Sequence, residues 1–238
     1  MAEANLFLSK SDLAYAELRG RILSGSLSAG SRLAQYELAA SLGMSITPLR
    51  EAIRRLSSEG LVEVETHRDV RVSTMSSTEA RQLFEVRLSL DPTAAGLAAE
   101  RRTDADLDAM RAAVGRLLPV TRRWGEEALS AHRAFHRALY AASRNDVLIR
   151  LLDDLWDKSD RYRRLGLELP PGDGPRTRDL DDHHRLVDLV AARRSAEAAD
   201  LMRTHVAHSL TATAISALED REEHEEAGAG PAVAGGQG

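Results

Sequence analysis

Apolar residues recur at helical spacing along most of the chain, and the pattern is sharpest in residues 33–60. Leu38, Ala39 and Leu42 mark one short amphipathic segment; Leu49, Ala52, Ile53 and Leu56 mark a second. Positions three and four apart share a helix face, so each set defines a stripe to be buried. Gly43 lies between them and supplies a tight turn. Ser45 stands where an N-cap is needed, accepting from an orphan amide of the next helix. Pro48 falls in the first helical turn, where no amide donor is required. Ile46, Thr47, Arg50 and Arg54 are left on the open face. Two helices, a short turn, and Thr and Arg early on the second make a helix-turn-helix, whose second helix reads base edges in the major groove.

The pattern predicts the rest of the chain in order. Residues 1–10 read as a loose arm. A helix over 13–24, capped at Ser11 or Asp12, presents Leu13, Ala16, Leu18, Ile22 and Leu23. Residues 25–30 form a turn-rich connection, and Ser31, Arg32 and Leu33 lead into the helix-turn-helix. Alternation over 61–65 and again over 70–73 predicts a β-hairpin, a wing with its tip at His67, Arg68 and Asp69. Residues 76–79 join two domains. One long helix follows over 78–101, with a kink expected at Pro92. Further helices are expected over 103–120, 126–143, 146–165, 178–194 and 196–218, with a loop at 168–174 and Asp146 as a cap. Asn145 is expected to shape a turn. Residues 219–238 pass from acidic to Gly/Ala-rich without apolar periodicity and are expected to be disordered. The fold class is therefore mainly α: a winged helix-turn-helix of three helices and a β-hairpin over 1–75, then an all-α antiparallel helical bundle over 76–218.

Composition narrows the chemistry. Among 238 residues there is no Cys, which excludes disulfides and thiolate metal sites. There is no long apolar run and no signal peptide, so a cytoplasmic protein with no membrane partner is expected. A net charge of −5 does not advertise nucleic-acid binding. Residues 1–73 carry nine Lys or Arg and nine Asp or Glu. The DNA reading thus rests on pattern, and a homodimer engaging two half-sites is expected to supply the affinity.

Residues 11–73 resemble the winged helix-turn-helix domain of the GntR family of bacterial repressors, through AYAELRGRILSGSLSAGSRL, ELAASLGMSITPLREAIRRLSSEGLVEV and HRDVRVS. The resemblance implies DNA contact at Thr47 and Arg50, with Ser45, Ile46, Arg54, Tyr36, His67 and Arg68 at the same surface. Arg68 also reads as an exposed loop charge. Three positions depart from the family: Ile46 and Tyr36 stand where it usually has Arg, and Asp69 where it usually has Gly. Neither Ile nor Tyr can read guanine bidentately, so the operator should differ. LFEVRLSLDPTAAGLAAERRT resembles the opening of the FCD effector domain, with Asp91 in place of the usual Glu. Arg87 matches an Arg that in the family reaches into the effector cavity, where it would suit a carboxylate. An ordinary ion pair is the alternative.

Eight His are present. His132 and His136 are four apart and share a helix face. His183 and His205 fall on two later helices, so the four could close around one ion inside a bundle. Spacing alone fits satisfied polar residues as well. Many FCD domains bind a divalent metal through Asp-x-x-x-His on one helix and two later His. SAHRAFHRALYAASRN matches that helix with His132 in the Asp slot, DHHRLVDLV supplies His183, and LMRTHV supplies His205. Four imidazoles favour Zn or Ni over Mg or Ca. They also leave the ion's charge uncompensated, which favours a small carboxylate effector. The expected function is a DNA-binding transcriptional regulator, a repressor on double-stranded operator DNA and not an enzyme. The alternatives are a metal-dependent enzyme on a carboxylate, or a regulator whose metal is structural or itself the signal.

Overall fold

The computed structural model describes residues 9–65, 69–119, 125–168 and 177–228. The chain divides into two compact units, Met1–Met75 and Ser76–Gly238.

In the first unit, α1 (Lys10–Leu23) starts earlier than its apolar pattern predicts. Ser9 accepts from the Asp12 amide at 3.1 Å and Asp12 reaches back to the Ser9 amide, a capping box that satisfies two orphan donors. Its buried face is Ala14, Leu18 and Ile22. Next come α2 (Gln35–Ser41) and α3 (Ile46–Ser58). Gly43 turns the chain between them at φ 62°, where a side chain would be strained. Ser45 is the N-cap residue of α3, but its hydroxyl makes no capping bond. Packing therefore holds α3 in place. Leu49 and Leu56 are fully buried, each contributing about 1.5–3 kcal/mol, more than a typical cap.

The strands β1 (Val62–Val64) and β2 (Val70–Val72) pair antiparallel, Glu63 opposite Arg71. A third short segment joins them, since Arg32 bridges Arg71. The Leu33 amide donates to the Val70 carbonyl at 2.7 Å and the Val72 amide to Ser31 at 2.9 Å. The residues expected only to lead into the helix-turn-helix thus form the outer edge of the wing. Leu33, Leu61, Val62, Val70 and Val72 seal the core beneath it.

The second unit is all helical among its described residues: α4 (Ser77–Arg101), α5 (Asp104–Val114), α6 (Gly125–Ala142), α7 (Asp146–Glu168), α8 (Thr177–Ala191), α9 (Ser195–Ala207) and α10 (Leu210–Gly228). The central helix is α4, packed against α6, α7, α8, α9 and α10. Ala94, Ala95, Gly96, Ala98 and Ala99 are buried along it. At Gly96 a Cβ would stand 3.3 Å from Ser195 Oγ, which itself donates to the Gly96 carbonyl at 3.0 Å. Small residues here let α9 approach, as close helix packing requires.

Several boundaries differ from expectation. Ser76 caps α4 by accepting from the Glu79 amide. Gly115 ends α5 early. Asn145 rather than Asp146 caps α7, its side-chain oxygen accepting from the Leu148 amide at 3.2 Å. The single helix expected over 196–218 is broken at His208 and Ser209. The tail expected to be disordered from 219 is helical to Gly228. Acidic residues there find partners: Glu219 pairs with Arg81, and Glu222 accepts from the Ser77 amide at 3.0 Å. The loop expected at 168–174 falls largely outside the described residues.

Candidate metal centre and nucleic-acid interface

The recognition surface lies on α3. Thr47, Arg50 and Arg54 sit on one face by their spacing, and Thr47, Arg54 and Ser45 are exposed. Arg50 is half-buried and its Nε donates to Gln35 Oε1 at 3.3 Å. Tyr36 is 71% exposed. It lines one groove of about 330 Å³ with Arg32, Gln35 and Arg50. Ile46 does not stand free on the open face as its position predicts: it is half-buried and packs on the core of this unit. An apolar side chain gains more there than in water. His67 and Arg68 lie outside the described residues.

In the second unit, α6 carries His132 and His136, α8 carries His183 and α9 carries His205, all buried. One nitrogen from each lies within 4.8 Å of the others. The Nε2 atoms of His136 and His183 are 3.2 Å apart. Two ligands at Zn–N distances of 2.0–2.1 Å on a tetrahedron would lie about 3.3 Å apart. His136 Nδ1 lies 3.2 Å from the Tyr140 hydroxyl, which also accepts from Trp156 Nε1 at 3.0 Å. An Nδ1–H donated to Tyr140 leaves the His136 Nε2 lone pair facing the cluster, the form a metal requires. The Nδ1 atoms of His132 and His205 have no hydrogen-bond partner, while the His183 ring bonds the Asp179 backbone. The Asp182 carboxylate is 3.6 Å from His205 Nδ1, beyond hydrogen-bond length.

Charge follows from burial. His132 is pushed well below the ordinary histidine range, first by burial and then by the Arg163 guanidinium. His136 and His183 are pushed the same way by burial and then by their neighbouring imidazoles. Three neutral rings with lone pairs available at neutral pH are ready donors. Four imidazoles converging in a buried space, two with unpartnered nitrogens, fit a divalent ion. Bound there, the ion would present a double positive charge and Lewis acidity to an oxygen ligand.

A second layer surrounds the histidines. Arg87 is buried and donates to Asp91 Oδ2 at 2.6 Å. Its guanidinium carbon lies 4.4 Å from the Trp156 ring centre, and that of Arg163 lies 4.7 Å from it. Burial works to lower the Arg87 pKa, but the Asp91 carboxylate and Tyr140 together outweigh it and keep the cation. Arg163 is paired with Asp160 at 3.0 Å, and burial works against its charge. Tyr140 is pushed well above the usual phenol range, by burial and then by Asp91. The sequence reading places Arg87 here; it does not foresee Trp156 or Tyr140. Tyr140 is four residues after His136, and that spacing was available as a signal.

A winged helix-turn-helix followed by an all-helical bundle is the architecture of a DNA-binding regulator with a separate C-terminal domain. Residues 10–72 match the family of bacterial regulatory proteins, gntR family, and residues 82–208 match the FCD domain. The chain belongs to the GntR family and is a DNA-binding transcriptional regulator of its FCD branch. It is 29% identical over 198 residues to the transcriptional repressor GlaR of Escherichia coli (strain K12), covering 81% of this chain and 90% of that one. It is 30% identical over 205 residues to the transcriptional regulator LutR of Bacillus subtilis (strain 168), covering 78% and 92%. The structure of E. coli McbR/YncC superposes with a TM-score of 0.71 at 23% identity, covering 91% of this chain and 100% of that one, and shares the fold. Among the described residues, no helix is long and apolar enough to cross a membrane.

Proposed function

We propose that this regulator is a homodimeric repressor whose operator binding is controlled by a small carboxylate, held at or beside a divalent ion on His132, His136, His183 and His205. The observation that carries the reading is the convergence of four buried imidazole nitrogens within 4.8 Å, with the Nε2 atoms of His136 and His183 facing each other at 3.2 Å. Four His favour Zn or Ni, because borderline ions prefer imidazole while Mg and Ca prefer oxygen. An ion among neutral ligands, with the Arg163 charge acting on His132, attracts an anion. The repressor assignment draws on GlaR, which is named as one. Thr47, Arg50 and Arg54 are assigned to operator contact, with Tyr36 and Ser45 beside them. Arg87 is a candidate for effector contact only if a ligand displaces Asp91 from it.

The effector would act by preferring one of two states of the dimer, so that both recognition helices match their half-sites in one and not in the other. Metal analysis by plasma mass spectrometry, with native mass spectrometry of the same sample, tests the reading. About one Zn or Ni per chain in a dimer, lost in His136→Ala, supports it. A chain that stays metal-free after Zn and Ni are supplied removes the metal from the mechanism. Operator binding that responds to chelator but to no organic acid would make the ion itself the signal.

A further inference from the structure

We propose that Arg32 and Arg71 are DNA-phosphate contacts beside the recognition helix, and that Asp69 restrains them until phosphate oxygens take its place. Arg32 Nε donates to Asp69 Oδ1 at 2.7 Å, and Arg71 Nη2 lies 3.2 Å from Asp69 Oδ2. One carboxylate thus holds two guanidinium groups. The Arg32 side chain is 71% exposed and that of Asp69 24%, so water reaches the pair from the arginine side. Pairs open to water are weak, and exchanging a carboxylate for a phosphate costs little. The Arg32 backbone is nonetheless fixed, because it bridges Arg71 on the edge of β2. Leu33, the next residue, is anchored in the core beneath.

Position makes the pair more than a surface feature. Arg32, Tyr36 and Arg50 line the same groove, so Arg32 shares the surface from which α3 reads DNA. A guanidinium flanking a helix in the major groove meets the phosphate backbone, which positions a protein without reading sequence. The balance of charge in the first unit gives such a contact weight, since its acidic and basic residues are equal in number over 1–73. Asp69 would repel the same phosphate. It lowers affinity for any duplex and leaves discrimination to α3.

Salt dependence of binding to a mixed-sequence duplex tests this directly, because counterion release counts phosphate contacts. Arg32→Ala should lower the slope of log affinity against log salt by about 0.9, while Arg32→Lys keeps it. Asp69→Asn should tighten binding at fixed salt. The double variant Arg32→Ala with Asp69→Asn should bind more weakly than Asp69→Asn alone, which separates a lost contact from a carboxylate left facing DNA. An unchanged slope in Arg32→Ala, or an Asp69→Asn that binds no tighter, overturns the proposal. A wild-type chain with no salt-dependent affinity for any duplex would overturn the DNA-binding assignment along with it. Circular dichroism of each variant confirms the fold, and the charge-preserving and isosteric variants keep the test decisive if Arg32→Ala unfolds.

Discussion

The Nε2 atoms of His136 and His183 face each other at 3.2 Å inside the helical unit. Two neutral imidazoles at that distance need a proton or a cation between their lone pairs. Either one ring presents an N–H to the other, or an ion draws both. Supplying Zn or Ni to metal-stripped protein should therefore raise its melting temperature. At a thousandfold excess over the dissociation constant the gain is about 4 kcal/mol. His136→Ala should show almost no gain. Differential scanning calorimetry with and without metal decides it, and equal shifts in the two proteins would place the ion elsewhere.

The stripped protein should lose stability in mild acid. His132, His136 and His183 are held below their ordinary range in the folded state, largely by burial. In the unfolded chain each takes a proton near pH 6.5. The unfolded state then binds more protons, so unfolding free energy falls as pH drops below about 6.5. Each such group steepens the dependence by about 1.4 kcal/mol per pH unit. Urea unfolding at several pH values measures this. His183→Gln should flatten the curve, and a wild-type midpoint that is constant from neutrality to pH 5 would contradict it.

Asp91 is committed to Arg87 within the core. Removing the carboxylate leaves a buried guanidinium with its charge unmatched. Asp91→Ala should cost about 3–5 kcal/mol, whereas a double Arg87→Met, Asp91→Leu replacement should cost much less. Denaturant midpoints of the stripped proteins test the difference. A single variant as stable as wild type would mean that another group satisfies Arg87.

The recognition helix was legible because its buried positions Leu49, Ala52, Ile53 and Leu56 are local and periodic, and the observed core includes all four. His132 and His136 were legible for the same reason, being one turn apart. His183 and His205 were placed by family resemblance, since no local pattern says which two distant helices meet α6. The layer of Arg87, Tyr140, Trp156 and Arg163 was mostly illegible, because it joins three helices and each residue alone reads as ordinary core or surface. The bridge from Arg32 to Arg71 escaped because one residue has no periodicity. The acidic tail misled for a physical reason. Its residues lack an apolar face, and what holds the helix in register includes pairing of Glu219 and Glu222 with α4, which no hydrophobic pattern encodes.

Glu222 tests that last point. Its carboxylate accepts from both the backbone amide and the hydroxyl of Ser77, at the first turn of α4. These bonds draw the Glu222 pKa below its usual range, the Ser77 hydroxyl first and the amide second. A helix start has four orphan amides, and here the last described helix, α10, satisfies one of them from outside. Ser77 also lies just inside the boundary between the two units. Glu222→Gln should therefore speed hydrogen exchange at the Ser77 amide while leaving Leu83 and the core of α4 protected. Truncation after residue 218 should do the same and also expose the α10-facing side of α4. Exchange followed by mass spectrometry, peptide by peptide, reads both. An unchanged rate at Ser77 in both variants would mean that the first turn of α4 is held by Ser76 alone, and that the acidic helix contributes nothing to it.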